Sequence, residues 1–321
     1  MSSPQQPMRV TLPFELIILI LETTVTISPR AAPTIAIVSR DIKPWIDSVL
    51  YGAIILRDWH QASLLYETIE ARTSTDPTFF SRTVRVLSLP NTINDSAMVA
   101  SIINACSGIS SLTIPLSYAT STHNIPEMLP SFRCLRNLCI SFLESQAPFD
   151  GLVSMFPPTL ERIIVDGFVQ PMRPTFWASL SRIPIVTHIL LRLWVISPTE
   201  LVEKADSLRD ILRGFMPDSA LRIFAVTIAT IHNPFLDFPV SELEVFKEID
   251  DQRLVAFLMD DPYSPFNPDS CPLPLKSFVG FLAMSRWDSR NNPDEDFWVT
   301  AEKVISLRQR KLGKVARNDE Q

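Results

Sequence analysis

A chain of 321 residues with 46 % hydrophobic and 20 % charged residues has an ordinary globular composition, long enough for about two domains and a large core, which excludes wholesale disorder. A formal net charge of −6 gives no general attraction to nucleic acid or to an anionic membrane. Seven glycines, where about 22 are usual, and no G-x-G-x-x-G, G-x-x-x-x-G-K-[ST] or G-x-S-x-G leave no phosphate-cradling loop, so a nucleotide-binding fold is not expected.

Residues 1–9 read as a disordered N-terminus with no secretory signal. Leu16 to Leu21 is an apolar run of six between Glu15 and Glu22, well short of the roughly 20 residues a membrane span needs. It predicts a helix, with Thr11 as cap, Pro13 in the first turn and Glu15 at the positive end. Leu12, Leu16, Leu19 and Ile20 fall on one face of that helix. After a Ser28-Pro29 break come Ala31 to Arg40 and then Pro44-Trp45-Ile46-Asp47-Ser48-Val49-Leu50-Tyr51.

The order Leu12-Pro13-x-Glu15-Leu16, Ile20-Leu21, Val38-Ser39-Arg40, Trp45-Ile46 and Leu50-Tyr51 resembles the F-box family, in the variant common among fungal F-box proteins. The resemblance implies a three-helix head over residues 10–52 that docks on the Skp-type adaptor of a cullin-based ubiquitin ligase. Leu12, Pro13, Leu16, Ile20, Leu21, Val38 and Trp45 are then the expected adaptor contacts. Pro33 departs from the family where its second helix runs, and Thr23 to Ile27 is apolar and β-branched where the family is polar.

A repeat follows, on the template apolar-x-x-apolar-x-apolar with the middle residue as anchor. It is met by Tyr51-Ile54-Leu56, Val84-Leu87-Leu89, Ile109-Leu112-Ile114, Leu135-Leu138-Ile140, Leu160-Ile163-Val165 and Val186-Ile189-Leu191. Less regular copies are Leu221-Phe224-Val226 and Leu254-Phe257-Met259. At this apolar content the template matches by chance at roughly one offset in ten. The spacing carries the inference: anchors at 87, 112, 138, 163 and 189 are 25, 26, 25 and 26 residues apart. That period belongs to leucine-rich repeats, in which each unit adds one strand and one returning segment to a shared core.

Between the strands, Trp59–Arg72, Ser96–Ser107, Pro174–Ile183, Glu200–Phe215 and Ser241–Ile249 carry helical periodicity; Ile125–Ser131 and Gly151–Phe156 predict single turns. The Asn or Cys ladder of regular leucine-rich repeats is replaced by Thr92, Ser117, Leu143, Phe168, Trp194, Ala229 and Pro262, so the array is degenerate. Five prolines between Pro262 and Pro274 predict a loop. Asp294-Glu295-Asp296 then opens a last helix, with Arg308, Arg310 and Lys311 at its end and a basic tail to Arg317. Its Trp298, Ala301, Val304 and Ile305 are expected to cover the open end of the stack. The expected fold is α/β: a helical head, a parallel-stranded solenoid over residues 53–292 with helices on its convex side, and a capping helix with its tail over 293–321.

No chemistry-bearing cluster stands out. His60, His123, His188 and His232 are far apart, and Cys106, Cys134, Cys139 and Cys271 form no C-x-x-C, as suits a reducing, intracellular compartment, cytoplasmic or nuclear. No catalytic residue, metal or cofactor is expected. Strand alternation instead sends the neighbours of the anchors to the concave face, where Arg162, Ile164, Asp166, His188, Leu190, Arg192 and Ile223 make an apolar centre edged by charge. Two readings of that face stay open: a site for a protein substrate, or a face covered by loops or the C-terminal segment, with Asp166 and Arg192 paired across strands. Two functions stay open as well. One is the substrate receptor of a cullin–F-box ligase; the other is an interaction scaffold whose head serves only as the N-terminal cap.

Overall fold

The computed structural model describes residues 13–28, 31, 34–35, 42–89, 95–115, 125–142, 152–167, 174–195, 198–215, 219–230, 249, 251–260, 282–283, 298, 301–302 and 305–306. Residues 1–12, the segment with Pro33 and Val38, most of 241–249, the proline-rich loop and the basic tail lie outside the described residues.

Helices α1 (Phe14–Ile27) and α2 (Lys43–Tyr51) come first, with Thr34 and Ile35 between them also helical. Helix α1 continues through its β-branched stretch. The Thr23 and Thr24 hydroxyls each donate at 2.7 Å to a carbonyl one turn back, on Leu19 and Ile20, which absorbs their polarity inside the helix. Val25, buried with Ile46 of α2, then anchors a small core that Leu21, Trp45, Val49 and Leu50 flank.

The second helix leads directly into a parallel sheet. Strands β1 (Ala53–Ile55), β2 (Val86–Ser88), β3 (Ser111–Pro115), β4 (Asn137–Phe142), β5 (Arg162–Gly167), β6 (His188–Val195), β7 (Ile223–Thr230) and β8 (Leu254–Asp260) stand side by side in chain order, every pairing parallel. A two-residue β9 (Leu282–Ala283) pairs with β8. A parallel pair needs a crossover, and helical segments supply most of them. They are α3 (Trp59–Thr73) and α4 (Phe79–Thr83), α5 (Ser96–Ala105), α6 (Ile125–Met128) with a 3-10 turn at Leu129–Ser131, a lone 3-10 turn at Val153–Met155, α7 (Pro174–Leu180) and α8 (Pro198–Gly214). This is a solenoid-like α/β fold. Among the described residues no helix is long and apolar enough to cross a membrane.

Side-chain caps set where α3 and α5 begin. The Asp58 carboxylate accepts from the Gln61 N–H at 2.8 Å, while the Gln61 amide oxygen accepts from the Arg57 N–H at 3.0 Å. Asp95 does the same for Met98 at 3.1 Å. Each satisfies a donor that the first helical turn leaves without an intrahelical partner.

The predicted anchors stand in register across seven strands: Ile54, Leu87, Leu112, Leu138, Ile163, Ile189 and Phe224. All but the half-buried Ile54 lie in one continuous core with Leu65 and Ile69 of α3, Ile102 and Ile103 of α5, Phe132, Phe176 and Trp177 of α7, and Leu208 and Leu212 of α8. The eighth strand departs from expectation. Leu254, not Phe257, pairs with Phe224, and Leu254 joins the helix-side core. The template favours Phe257, because Asp251 stands three residues before Leu254; the pairing nonetheless brings the earlier apolar residue, Leu254, level with Phe224. A change of three residues in register exchanges the two faces of β8, and Leu254 lies in the helix-side core while Val255 lies on the opposite face.

A backbone ladder joins the repeats at the strand starts. The Gly52 carbonyl accepts from the N–H groups of Arg85 and Val86 at 2.8 and 3.0 Å. The Arg85, Ser110, Arg136, Glu161 and Thr187 carbonyls likewise each accept from two successive N–H groups of the next repeat. Close approach explains one of the few glycines. A Cβ on Gly108 would lie 1.9 Å from the Ser81 carbonyl oxygen, so only glycine lets the turn before β3 pass α4.

The C-terminal helical residues sit elsewhere than expected. Trp298, Ala301 and Ile305 bury themselves with Cys139, Ile164, Leu190, Ile223, Ala225 and Val255, across the face of the sheet rather than over its open end. Strand alternation leaves an apolar row on that face too, and Trp298, Ala301 and Ile305 cover it.

Candidate functional surfaces

Two surfaces carry the residues singled out in the sequence. The first is the outer side of α1. The helix turns Leu21 and Val25 towards α2, which leaves Leu16, Leu19 and Ile20 on the other side at 45, 57 and 53 % exposure. Apolar residues all around a 14-residue helix mean that one side has no partner within the described fold. Of the expected adaptor contacts, Pro13, Leu16 and Ile20 are exposed, Leu21 and Trp45 pack in the small core, and Leu12 and Val38 lie outside the described residues.

The two N-terminal helices are fastened to the first repeat. The Arg72 guanidinium of α3 donates to the buried Asp47 carboxylate of α2 at 2.6 Å, and Lys43 adds a contact at 3.2 Å. The same guanidinium carbon lies 3.5 Å from the Phe79 ring centroid, a cation–π contact. Tyr51 meets Phe79 and Phe80 edge-on, at 5.3 and 5.8 Å between centroids. Helix α4, which places these two rings, was not foreseen; its only sequence signal is the buried-type pair Phe79-Phe80 just after Pro77.

The second surface is the sheet face opposite the repeat helices. The register brings Arg162 beside His188, Ile164 beside Leu190 and Asp166 beside Arg192, as alternation predicts, with Ile223 next to His188 on β7. This face is covered. Ile164, Leu190 and Ile223 are buried beneath Trp298, Ala301 and Ile305, so the apolar centre expected for a substrate is occupied by the chain itself. Asp166 and Arg192 pair across strands at 2.7 Å. Arg162 stands over the Trp298 ring, 5.8 Å from its centroid.

His188 ties the covering segment down. Its Nε2 lies 3.2 Å from Glu302 Oε1 and its Nδ1 2.7 Å from the Thr187 hydroxyl, with the Trp298 ring edge-on at 5.1 Å. Burial pushes the imidazole below its usual pKa; the hydrogen bond and charge of Glu302 oppose that, and Arg162 and Arg222 reinforce it. Glu302 was missed in the sequence, where it reads as one more solvated charge. The Cys139 thiol on the same face is pushed up to about 12 by burial, which keeps it protonated at neutral pH. Among the described residues no three His, Cys, Asp or Glu side chains gather where a metal ion could sit.

No family model matches the chain, and no curated protein matches it.

Proposed function

We propose that the chain is the substrate-recognition subunit of a cullin-based ubiquitin ligase, its F-box-like head holding a Skp-type adaptor and its leucine-rich-repeat-like array holding a protein substrate. The observation that carries this reading is the outward side of α1, where three large aliphatic residues stand in water on a helix that already has an inner core. Docking on an adaptor would remove that area from water, at about 25 cal/mol per Å². The ligase's other subunits would supply the chemistry, so the array needs to bind and not to react.

The test is co-purification of a Skp-type adaptor with the intact chain and with Leu16→Asp combined with Ile20→Asp. Both residues are exposed, so the fold should tolerate the change. The intact chain should retain the adaptor and the double variant should lose at least tenfold in affinity. An intact chain that fails to retain it would sink the reading.

A second reading draws on the junction. Asp47–Arg72 and the Tyr51, Phe79 and Phe80 cluster close the first repeat with the N-terminal helices, which is what a solenoid cap does. An interaction scaffold whose head serves only as that cap is the function left if the adaptor is not retained.

A further inference from the structure

The backbone ladder at the strand starts sets six residues side by side along one edge of the sheet. Arg85, Ser110, Arg136, Glu161 and Thr187 each accept through their carbonyl from the next repeat, and the row ends at Arg222. Three arginines against one glutamate make a local basic excess on a chain whose formal net charge is −6. Arg85, Arg136 and Arg222 are all exposed. Arg136 meets Glu161 only at 3.8 Å, with 66 and 47 % of the two side chains exposed, a geometry worth little in water. Arg85 donates to the Gly108 carbonyl at 2.9 Å, and among the described residues neither it nor Arg222 has a carboxylate partner. Arg253, one repeat on, shows how an arginine with a structural task is held here. It is half-buried, pairs with Asp251 at 2.6 Å, and donates to the Leu212 and Phe215 carbonyls at the end of α8 at 3.4 and 3.3 Å. Arg136 and Arg222 make no such contacts among the described residues.

We propose that the strand-start edge of the sheet, from Arg85 to Arg222, is a docking surface for an acidic, extended segment of a protein partner. The guanidinium fork meets a carboxylate with two parallel hydrogen bonds, so arginines in a row select a chain of carboxylates. The register sets their spacing. Arg85 and Arg136 stand two strands apart and Arg136 and Arg222 three, which is about 10 and 14 Å at the usual strand separation. An extended peptide rises about 3.3 Å per residue, so its acidic residues fall about three and then four positions apart. This edge is a different surface from α1, and the proposal does not rest on the adaptor reading.

The experiment uses the full chain at low salt and a labelled peptide with glutamates at those spacings in a Gly-Ser background. The unaltered chain should bind it at least tenfold more tightly than the same peptide with glutamine in place of glutamate. Arg136→Glu with Arg222→Glu should lose that margin while keeping the cooperative melt. Arg57→Glu with Arg209→Glu changes the net charge equally, away from the row, and should keep the margin. If the first pair lowers the melt, Arg136→Gln with Arg222→Gln reads the same loss without added negative charge. No discrimination between the two peptides, or an equal loss from both charge reversals, overturns the proposal. So does tighter binding of single-stranded DNA of the same net charge, because the row then recognises phosphates rather than carboxylates.

Discussion

His188 is the residue where electrostatics and packing meet. It is buried between strands, faced by Thr187, Glu302 and the Trp298 ring, with Arg162 and Arg222 near enough to repel its charged form. Its pKa in the folded chain lies below the ordinary 6.5. Between those two values the unfolded chain binds a proton that the folded chain does not. Stability is therefore complete above pH 6.5, and is lost as pH falls through 6.5 towards the folded value. Thermal melts at pH 7.5 and 5.5 should show a larger drop for the unaltered chain than for His188→Gln. Equal drops would mean that another group carries the pH dependence.

Among the elements, the junction between α2 and α3 is the most exacting. Arg72 holds two partners at once, the Asp47 carboxylate and the Phe79 ring, so removing either strands a half-buried guanidinium. Asp47→Ala should cost about 1–3 kcal/mol, the usual penalty for leaving a buried polar partner unpaired. The loss should be local: amides of α1 and α2 should exchange faster, while those of β3 to β6 keep their protection. Uniform loss across the chain would show that the N-terminal helices and the array unfold as one. Most elements were legible beforehand for reasons visible in their residues. Trp59–Thr73, Ser96–Ala105 and Pro198–Gly214 combine helical periodicity with caps or helix formers. Helix α4 was not, because five residues are too few for periodicity to show, and packing of Phe79 and Phe80 against Tyr51 holds it in place.

On the scale of the whole molecule, stability is shared between neighbours along the sheet. Each strand pairs only with the one before and the one after, and each repeat adds its residues to a core that continues through the next. Leu138 sits near the middle of that core with no exposed surface. Leu138→Ala should cost about 2–5 kcal/mol through lost burial and the cavity it leaves. In an array of this kind the damage need not spread evenly, so denaturant unfolding should separate into two steps or lose slope. A single transition, shifted in midpoint with its slope unchanged, would mean that β1 to β8 and the covering segment form one cooperative unit.

What the sequence determined by itself is the strand series. Anchors from Leu87 to Ile189 recur every 25 or 26 residues, a period that a stack of parallel strands explains, and with Ile54 and Phe224 added they stand side by side. The same alternation named the residues of the opposite face, from Arg162 to Ile223, and the Asp166–Arg192 pair. The tertiary structure alone decided what lies on that face. Trp298, Ala301 and Ile305 announce a helix with one apolar stripe, but a stripe does not say which of two apolar surfaces, the open edge or the sheet face, it will cover. Hydrophobic burial has no direction of its own. The choice went to the surface with His188 and Arg162 placed to meet Glu302 and the Trp298 ring.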